Sequence, residues 1–216
     1  MKITLIGLGK MGTTLAERLL AAHFDLTVFN RTKEKMIPLI EAGAKGATTI
    51  EDAVKEARIV ITSLLDDNSV LETTHHFVHL MQPGAIHAGT STILPETSKK
   101  LTELHQKHGS IYIAACVLGI PKAAAQGKLT TIVAGQDEAI EHCKPVFESY
   151  SLKTIHAGTQ AYQANVIKIC MNYFLATAIE TMSELYTFAE KSQVDTSLLN
   201  TLFHSNLYLP SGVQVP

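Results

Sequence analysis

The sequence predicts an α/β fold with a doubly wound, mostly parallel sheet, and three observations predict it. Apolar strand-like runs alternate with amphipathic helical stretches from Met1 to about Gly158. The first run, Ile3 to Ile6, opens into the glycine turn Gly7-Leu8-Gly9-Lys10-Met11-Gly12 and then into a helical stretch. After Ala161 the strand pattern stops, and apolar residues recur at three- and four-residue steps. Strictly alternating strands and helices imply right-handed crossovers and parallel pairing.

The elements come in order along the chain. Ile3–Ile6 reads as a buried strand, and Thr13–Ala22 as a helix packing through Leu15, Leu19 and Leu20. Further strands are expected at Leu26–Phe29, Ile59–Ser63, Ala85–Ala88, Ile111–Ala114, Thr130–Ala134 and Lys153–His156. Helices are expected at Thr32–Ala42, Ile50–Glu56, Asp67–Met81, Pro95–His108 and Glu138–Tyr150. Pro83-Gly84 and Gly135-Gln136-Asp137 mark boundaries. Ala164, Ile167, Met171, Leu175, Ala178, Met182, Leu185 and Ala189 then line one face of a long helix, from about Ala161 to Glu190. Thr196 to about His204 offers one more helix, and the tail from Asn206 has Pro210, Gly212 and Pro216 with no helical period. Two regions result: residues 1–158, a nucleotide-binding sheet domain of Rossmann type, and residues 159–216, the long helix with the short C-terminal segment.

The glycine turn carries the first chemistry. Between a strand and a helix, Gly-x-Gly-x-x-Gly suits a pyrophosphate: Gly7 permits the tight turn, Gly9 close backbone approach, and Gly12 close helix packing. The helix N-terminus supplies free N–H groups and partial positive charge, so Gly7, Leu8, Gly9, Lys10, Met11 and Gly12 form the expected cofactor loop. The next strand ends in Asn30-Arg31-Thr32, where an NAD site has an acid for the ribose hydroxyls. Asn30 can hydrogen-bond a ribose oxygen, and Arg31 can stack on adenine and grip a 2′-phosphate. Thr32 can cap the following helix and donate to the same phosphate, with Lys35 adding charge one turn on. NADP(H) is therefore expected over NAD(H).

Composition excludes several function classes. The 216 residues carry a net charge of −2 and 46% hydrophobic residues, with mean hydropathy +0.14, enough for a full core. Lys and Arg are scattered, so no nucleic-acid footprint is visible. The apolar run Ile111–Ile120 is too short to span a bilayer. With no cleavable signal ahead of the glycine turn, and Cys116, Cys143 and Cys170 odd in number and without paired spacing, a cytoplasmic protein with reduced thiols is expected. Cys116 reads as a small core residue. His75, His76 and His79 read as a polar helix surface rather than a metal site, and no metal is expected; His105 and His108 read as the end of a solvated helix.

On the long helix, Lys168 and Asn172 are four residues apart and share a face. Upstream lie Gly89-Thr90-Ser91-Thr92-Ile93-Leu94-Pro95, Ala115-Cys116-Val117-Leu118-Gly119-Ile120-Pro121, and Gly127-Lys128-Leu129-Thr130. With the glycine turn, these motifs in this order resemble the β-hydroxyacid dehydrogenase family, which includes 3-hydroxyisobutyrate dehydrogenase and the glyoxylate/succinic semialdehyde reductases. The resemblance covers roughly Met1 to Ser205. It implies that Lys168 is the catalytic lysine and that Asn172 helps hold substrate and lysine. It implies too that Ser91 and Thr92 bind the substrate carboxylate, Gly119 belongs to a second substrate motif, and Leu64 and Leu65 line the cofactor, with Thr92 beside it. The reaction implied interconverts a small β-hydroxyacid and its semialdehyde or keto form. Three departures stand out: Gly89 replaces an Asp, Leu118 a Ser and Ile120 a Gly. Leu118 cannot donate a hydrogen bond, so a bulkier or more apolar substrate becomes plausible. Gly119-Ile120-Pro121 is similar to the related imine reductases, which carry Asp or Tyr at the place of Lys168.

Family members continue past the long helix with several more helices, so by this resemblance the C-terminal all-α domain is short or truncated. A non-catalytic or truncated dinucleotide-binding module and an imine-reductase-like enzyme are the alternative readings. The helix at 161–190 spans about 45 Å at 1.5 Å per residue, and its apolar face is expected to pack on a second copy in a homodimer.

Overall fold

A computed structural model describes residues 1–205. Eight strands form one sheet in the order β3-β2-β1-β4-β5-β6-β7-β8. They are β1 (Lys2–Ile6), β2 (Asp25–Phe29), β3 (Lys45–Gly46), β4 (Ile59–Thr62), β5 (Ile86–Gly89), β6 (Ile111–Leu118), β7 (Leu129–Ala134) and β8 (Ser151–His156). All neighbours pair in parallel except β6 and β7, which are antiparallel. The helices are α1 (Lys10–Ala21), α2 (Ile37–Glu41), α3 (Ile50–Val54), α4 (Asp67–Phe77), α5 (Pro95–Lys107), α6 (Pro121–Ala125), α7 (Asp137–Glu148), α8 (Tyr162–Lys191) and α9 (Ser197–His204).

The expected elements are present, with shifted bounds. The first helix starts at Lys10 rather than Thr13, so Gly12 lies inside it. The expected helix from Thr32 opens instead as a 3₁₀ turn at Lys33–Met36, and Thr32 makes no side-chain cap. The expected helix to Met81 ends at Phe77 and finishes as a 3₁₀ turn at Val78–Leu80. The strand begun at Ile111 runs on to Leu118. Two short elements, β3 and α6, carry too few residues for a periodic signal. The expected tail from Asn206 lies outside the described residues.

Strand alternation divides the core between two faces. Leu5, Ile61, Ala88, Ala115 and Val133 point to one face, where α1, α2, α6 and α7 add Leu15, Leu39, Ala124 and Phe147. Val60, Ala114, Cys116 and Ile132 point to the other, where α3, α4, α5 and the start of α8 add Val54, Phe77, Leu101 and Ala164. The chain separates into two compact units, Met1–Ile169 and a second from Cys170 onward. The second holds the rest of α8 and α9, with Tyr186 bonded through its hydroxyl to Asn200. Many of its large apolar side chains are exposed, among them Phe174, Leu175, Ile179 and Phe188.

The second sheet face carries a polar line that sequence patterns do not show. His87 Nε2 lies 2.8 Å from Thr62 Oγ1, and His87 Nδ1 lies 2.9 Å from His105 Nε2. His105 Nδ1 reaches Ser110 Oγ at 2.7 Å. His105, expected on a solvated helix end, is wholly buried, because the inward face of α5 turns it under Phe77 and Tyr112. His108 is exposed as expected. Burial pushes His87 well below the ordinary imidazole range. Burial first, then the nearby His108 charge, brings His105 down to about 3.

Both imidazoles are thus neutral in the folded chain and must stay so. Their folded values are depressed, so their contribution is complete above the unfolded value of about 6.5 and is lost as pH falls below it. Between pH 7.5 and 5 the His105 shift alone should remove about 2 kcal/mol of stability. Denaturant titrations at the two pH values check this; equal stabilities would show that the buried pair accepts protons freely.

Candidate active site

The site grows from the place where strand order reverses. β1 is flanked by β2 and β4, so the chain winds outward in both directions from that pair, and a crevice opens at their carboxyl ends. Gly7 sits there with φ +98°. A Cβ on Gly7 would press on the Ser63 carbonyl oxygen and lie 2.8 Å from Leu64 Cδ2. A Cβ on Gly12 would press on the Gly7 carbonyl oxygen and lie 3.2 Å from Ser63 Cβ. The bare glycines therefore let the turn after β1 lie directly on the loop after β4. Gly9 differs: a Cβ there meets nothing within 4 Å, so its free side faces the open crevice. The first turn of α1 carries no acidic side chain, and its orphan N–H groups are available to an anion.

The crevice measures about 830 Å³. Gly7, Leu8, Gly9, Lys10, Met11 and Gly12 line one side; Asn30, Arg31, Thr32 and Lys35 line another, and Leu64 and Leu65 a third. Thr92, also expected near the cofactor, is exposed and is not among the lining residues. Lys33, Thr48, Glu72, Thr73 and His76 line it as well, and sequence reasoning missed them in this role. Three of these come from α4, whose pattern shows a polar face without saying what it faces. Asn30 lines the crevice and is also bonded within the protein. Its Oδ1 accepts from Leu8 N at 2.9 Å and its Nδ2 donates to the Thr32 carbonyl at 2.9 Å. The amide braces the glycine turn against the end of β2. Thr32 makes no side-chain cap and is among the residues that line the crevice.

From the loop after β4, contacts run inward across the sheet. Leu64 N donates to Ser91 Oγ at 2.9 Å, and Leu94 N donates to Asp67 Oδ1 at 2.9 Å. These bonds clamp the loops after β4 and β5 together. Ser91 is buried, and its hydroxyl donates to no group among the described residues. The Ser91 carbonyl faces Cys116 Sγ at 3.9 Å, and Cys116 accepts from Asn165 Nδ2 at 3.3 Å. Cys116 is a core residue as expected; burial is the main force pushing its thiol up to about 12. Lys168, one turn beyond Asn165, is half-buried, and burial lowers its amine from the usual lysine range, opposed by Cys116.

The departures from the family pattern acquire physical reasons. A Cβ on Gly89 would lie 2.6 Å from Tyr112 Oη; the tyrosine hydroxyl occupies the space where the family's aspartate side chain would begin. Gly119 holds φ +127°, and a Cβ there would lie 2.7 Å from Leu129 Cδ2. Leu118 is half-buried beside it, and Ile120 is 64% exposed. Asn172 falls in the second unit, where it is exposed. His75, His76 and His79 are exposed, and no cluster of metal-ligating side chains occurs among the described residues. None of the described helices is long and apolar enough to cross a membrane.

Comparison with known proteins agrees with this geometry. The family model for the NAD binding domain of 6-phosphogluconate dehydrogenase matches residues 2–158. The chain is 40% identical to the uncharacterized oxidoreductase YfjR of Bacillus subtilis, over 98% of this chain and 77% of the relative. It is 32% identical to the NAD-dependent L-serine dehydrogenase of Pseudomonas aeruginosa, over 92% of this chain and 67% of the relative. The solved structure of Mycobacterium tuberculosis 3-hydroxyisobutyrate dehydrogenase with L-serine superimposes with a TM-score of 0.88 at 26% identity, covering 98% of this chain and 76% of that one. A dinucleotide crevice at the strand switch, the motif order of the sequence and these relatives together place the chain in the β-hydroxyacid dehydrogenase family of oxidoreductases.

Proposed function

We propose that the chain carries out NADPH-linked interconversion of a small β-hydroxyacid and its semialdehyde or keto form, with Lys168 as general acid and base. The observation that carries the reading is the half-buried Lys168 with its lowered amine, held near Cys116 and the Ser91 clamp. The nicotinamide supplies the hydride; the chain's residues position the substrate and manage the proton. Hydride arrival at a carbonyl carbon builds charge on oxygen. The Lys168 ammonium stabilises that charge and gives up a proton; in the reverse direction the neutral amine takes the hydroxyl proton. A lowered proton affinity suits both directions. Ser91, with Thr92 and Gly119, is assigned to the substrate carboxylate, Ser91 through its hydroxyl. Leu118 and Ile120 favour a substrate with an apolar group. L-serine, the compound present in the mycobacterial structure, belongs to the same small hydroxyacid class.

NADP(H) is the favoured cofactor because Arg31, Thr32, Lys33 and Lys35 line the crevice around the place of the missing acid. The Pseudomonas relative uses NAD, so the two cofactors must be compared directly. NADPH should bind at least about tenfold tighter than NADH, about 1.4 kcal/mol, and Arg31→Ala should remove most of that preference. Fluorescence titration measures both, and equal affinities in the native chain would refute the assignment.

Lys168→Ala should lower turnover by about 10²-fold or more on whichever small oxoacid, semialdehyde or cyclic imine proves competent, while cofactor affinity stays native. Native turnover in that variant would remove Lys168 from the chemistry. Cofactor binding without turnover on any substrate would favour the alternative of a non-catalytic binding module.

The exposed apolar residues of α8, including Met171, Leu175 and Leu185, support assembly as a homodimer through the 161–190 helix. Light scattering at micromolar concentration should give twice the chain mass. A monomer mass independent of concentration would contradict it.

A further inference from the structure

Asn165 has no role in the chemistry described so far, yet it is almost wholly buried, 1% exposed, at the start of α8. Its two amide atoms fare differently. Nδ2 donates to Cys116 Sγ at 3.3 Å, which turns Oδ1 away from the thiol. Oδ1 is buried and has no hydrogen-bond partner among the described residues. An acceptor left so costs about 1–3 kcal/mol, and native interiors keep few of them. A donor within reach is therefore expected.

The neighbourhood names one. Lys168 comes three residues later, so the two side chains leave adjacent points of the same helix face. Cys116, which grips the Asn165 amide, is also close enough to the Lys168 amine for a thiolate there to raise its proton affinity. At neutral pH that thiol is protonated, since burial carries it to about 12, so it offers Lys168 no negative charge. The amide oxygen beside it is a buried acceptor without a partner among the described residues.

We propose that Asn165 is a positioning residue for Lys168: its side-chain oxygen, turned by Cys116 and unpartnered in the structure, is the acceptor to which the lysine amine turns in solution, and it holds that amine toward the reacting carbonyl. A bond of this kind favours the ammonium form and so offsets part of the desolvation that burial imposes. Burial alone weakens the hold of Lys168 on the proton it must deliver. The oxygen returns part of that affinity and fixes the direction of the N–H bonds. Cys116 acts through Asn165 and does not touch the substrate. The assignment rests on Lys168 being the acid and base of the reaction, but the bond itself can be detected without turnover.

The experiment is a direct titration of the Lys168 amine by NMR of the full chain labelled with ¹⁵N-lysine, the resonance being identified by its absence in Lys168→Arg. Asn165→Ala and Asn165→Leu are compared with the native chain, with thermal melting to confirm that each is folded. Loss of the acceptor should lower the proton affinity of Lys168 about tenfold in both variants. Cys116→Ala, which frees the amide without removing it, should lower it by less. A decrease in Asn165→Leu alone, with Asn165→Ala at or above native, is the signature of simple desolvation and overturns the proposal, as does no change in either. Where turnover is measurable, the acidic and basic limbs of the kcat profile should move with the NMR value. If the amine shifts as expected but Lys168→Ala retains native turnover, the hydrogen bond stands and the acid–base role of Lys168 is what fails.

Discussion

The close approach of two backbone segments organises this molecule. The turn after β1 rests on the loop after β4, and Gly7 and Gly12 make room for the Ser63 carbonyl and Cβ. Interiors are packed as densely as organic crystals, so a methyl group at either glycine would push the two loops apart. The crevice exists because they are not apart. Asn30 holds the other side of the turn through Leu8 N. Leu64, pressed against Gly7, passes the register on to Ser91. Each later contact in the site is placed relative to that first one.

The two faces of the sheet serve different ends. The face under α1, α2, α6 and α7 is lined almost wholly by apolar side chains and supplies hydrophobic burial. The other face mixes apolar residues with Thr4, Thr62, His87 and Cys116. Thr4 bonds the Ala53 carbonyl of α3, and Thr62 and His87 continue to His105 and Ser110. Buried polar groups of this kind tolerate little displacement, because each broken bond leaves an unsatisfied partner. Ser91, Cys116 and Asn165 lie on this side. The proposed chemistry thus draws on the side where directional bonds, rather than packing alone, fix side-chain orientation.

Lys168 and Cys116 show how one burial gradient has opposite effects. Low polarity disfavours charge whatever its sign, so it lowers the proton affinity of the lysine and raises that of the thiol. The lysine becomes readier to exchange its proton. The thiol loses its nucleophile and remains an inert hydrogen-bonding sphere. Cys170, exposed on α8, lies outside this environment.

The fold class, the glycine turn and the dominant run of strands and helices were legible in the chain, because they depend on local periodicity and on glycine at one fixed spacing. Lys168 was legible only through its spacing to Asn172 and the order of the other motifs. What tertiary structure alone decided are relations between residues distant in sequence. His105 lies on an ordinary polar helix by pattern, but the packing of α5 under Phe77 buries it beside His87. Asn30 can hydrogen-bond many things, and only the fold turns its amide back onto Leu8. Gly89 looks like a lost aspartate until Tyr112, on the neighbouring strand, is found in its space. Asn165 stands three residues before Lys168 in plain sight, yet its meaning depends on Cys116, which pairing and helix docking bring to it across 49 positions. Periodicity determines which way a side chain faces; what it meets there is determined by how the faces pack.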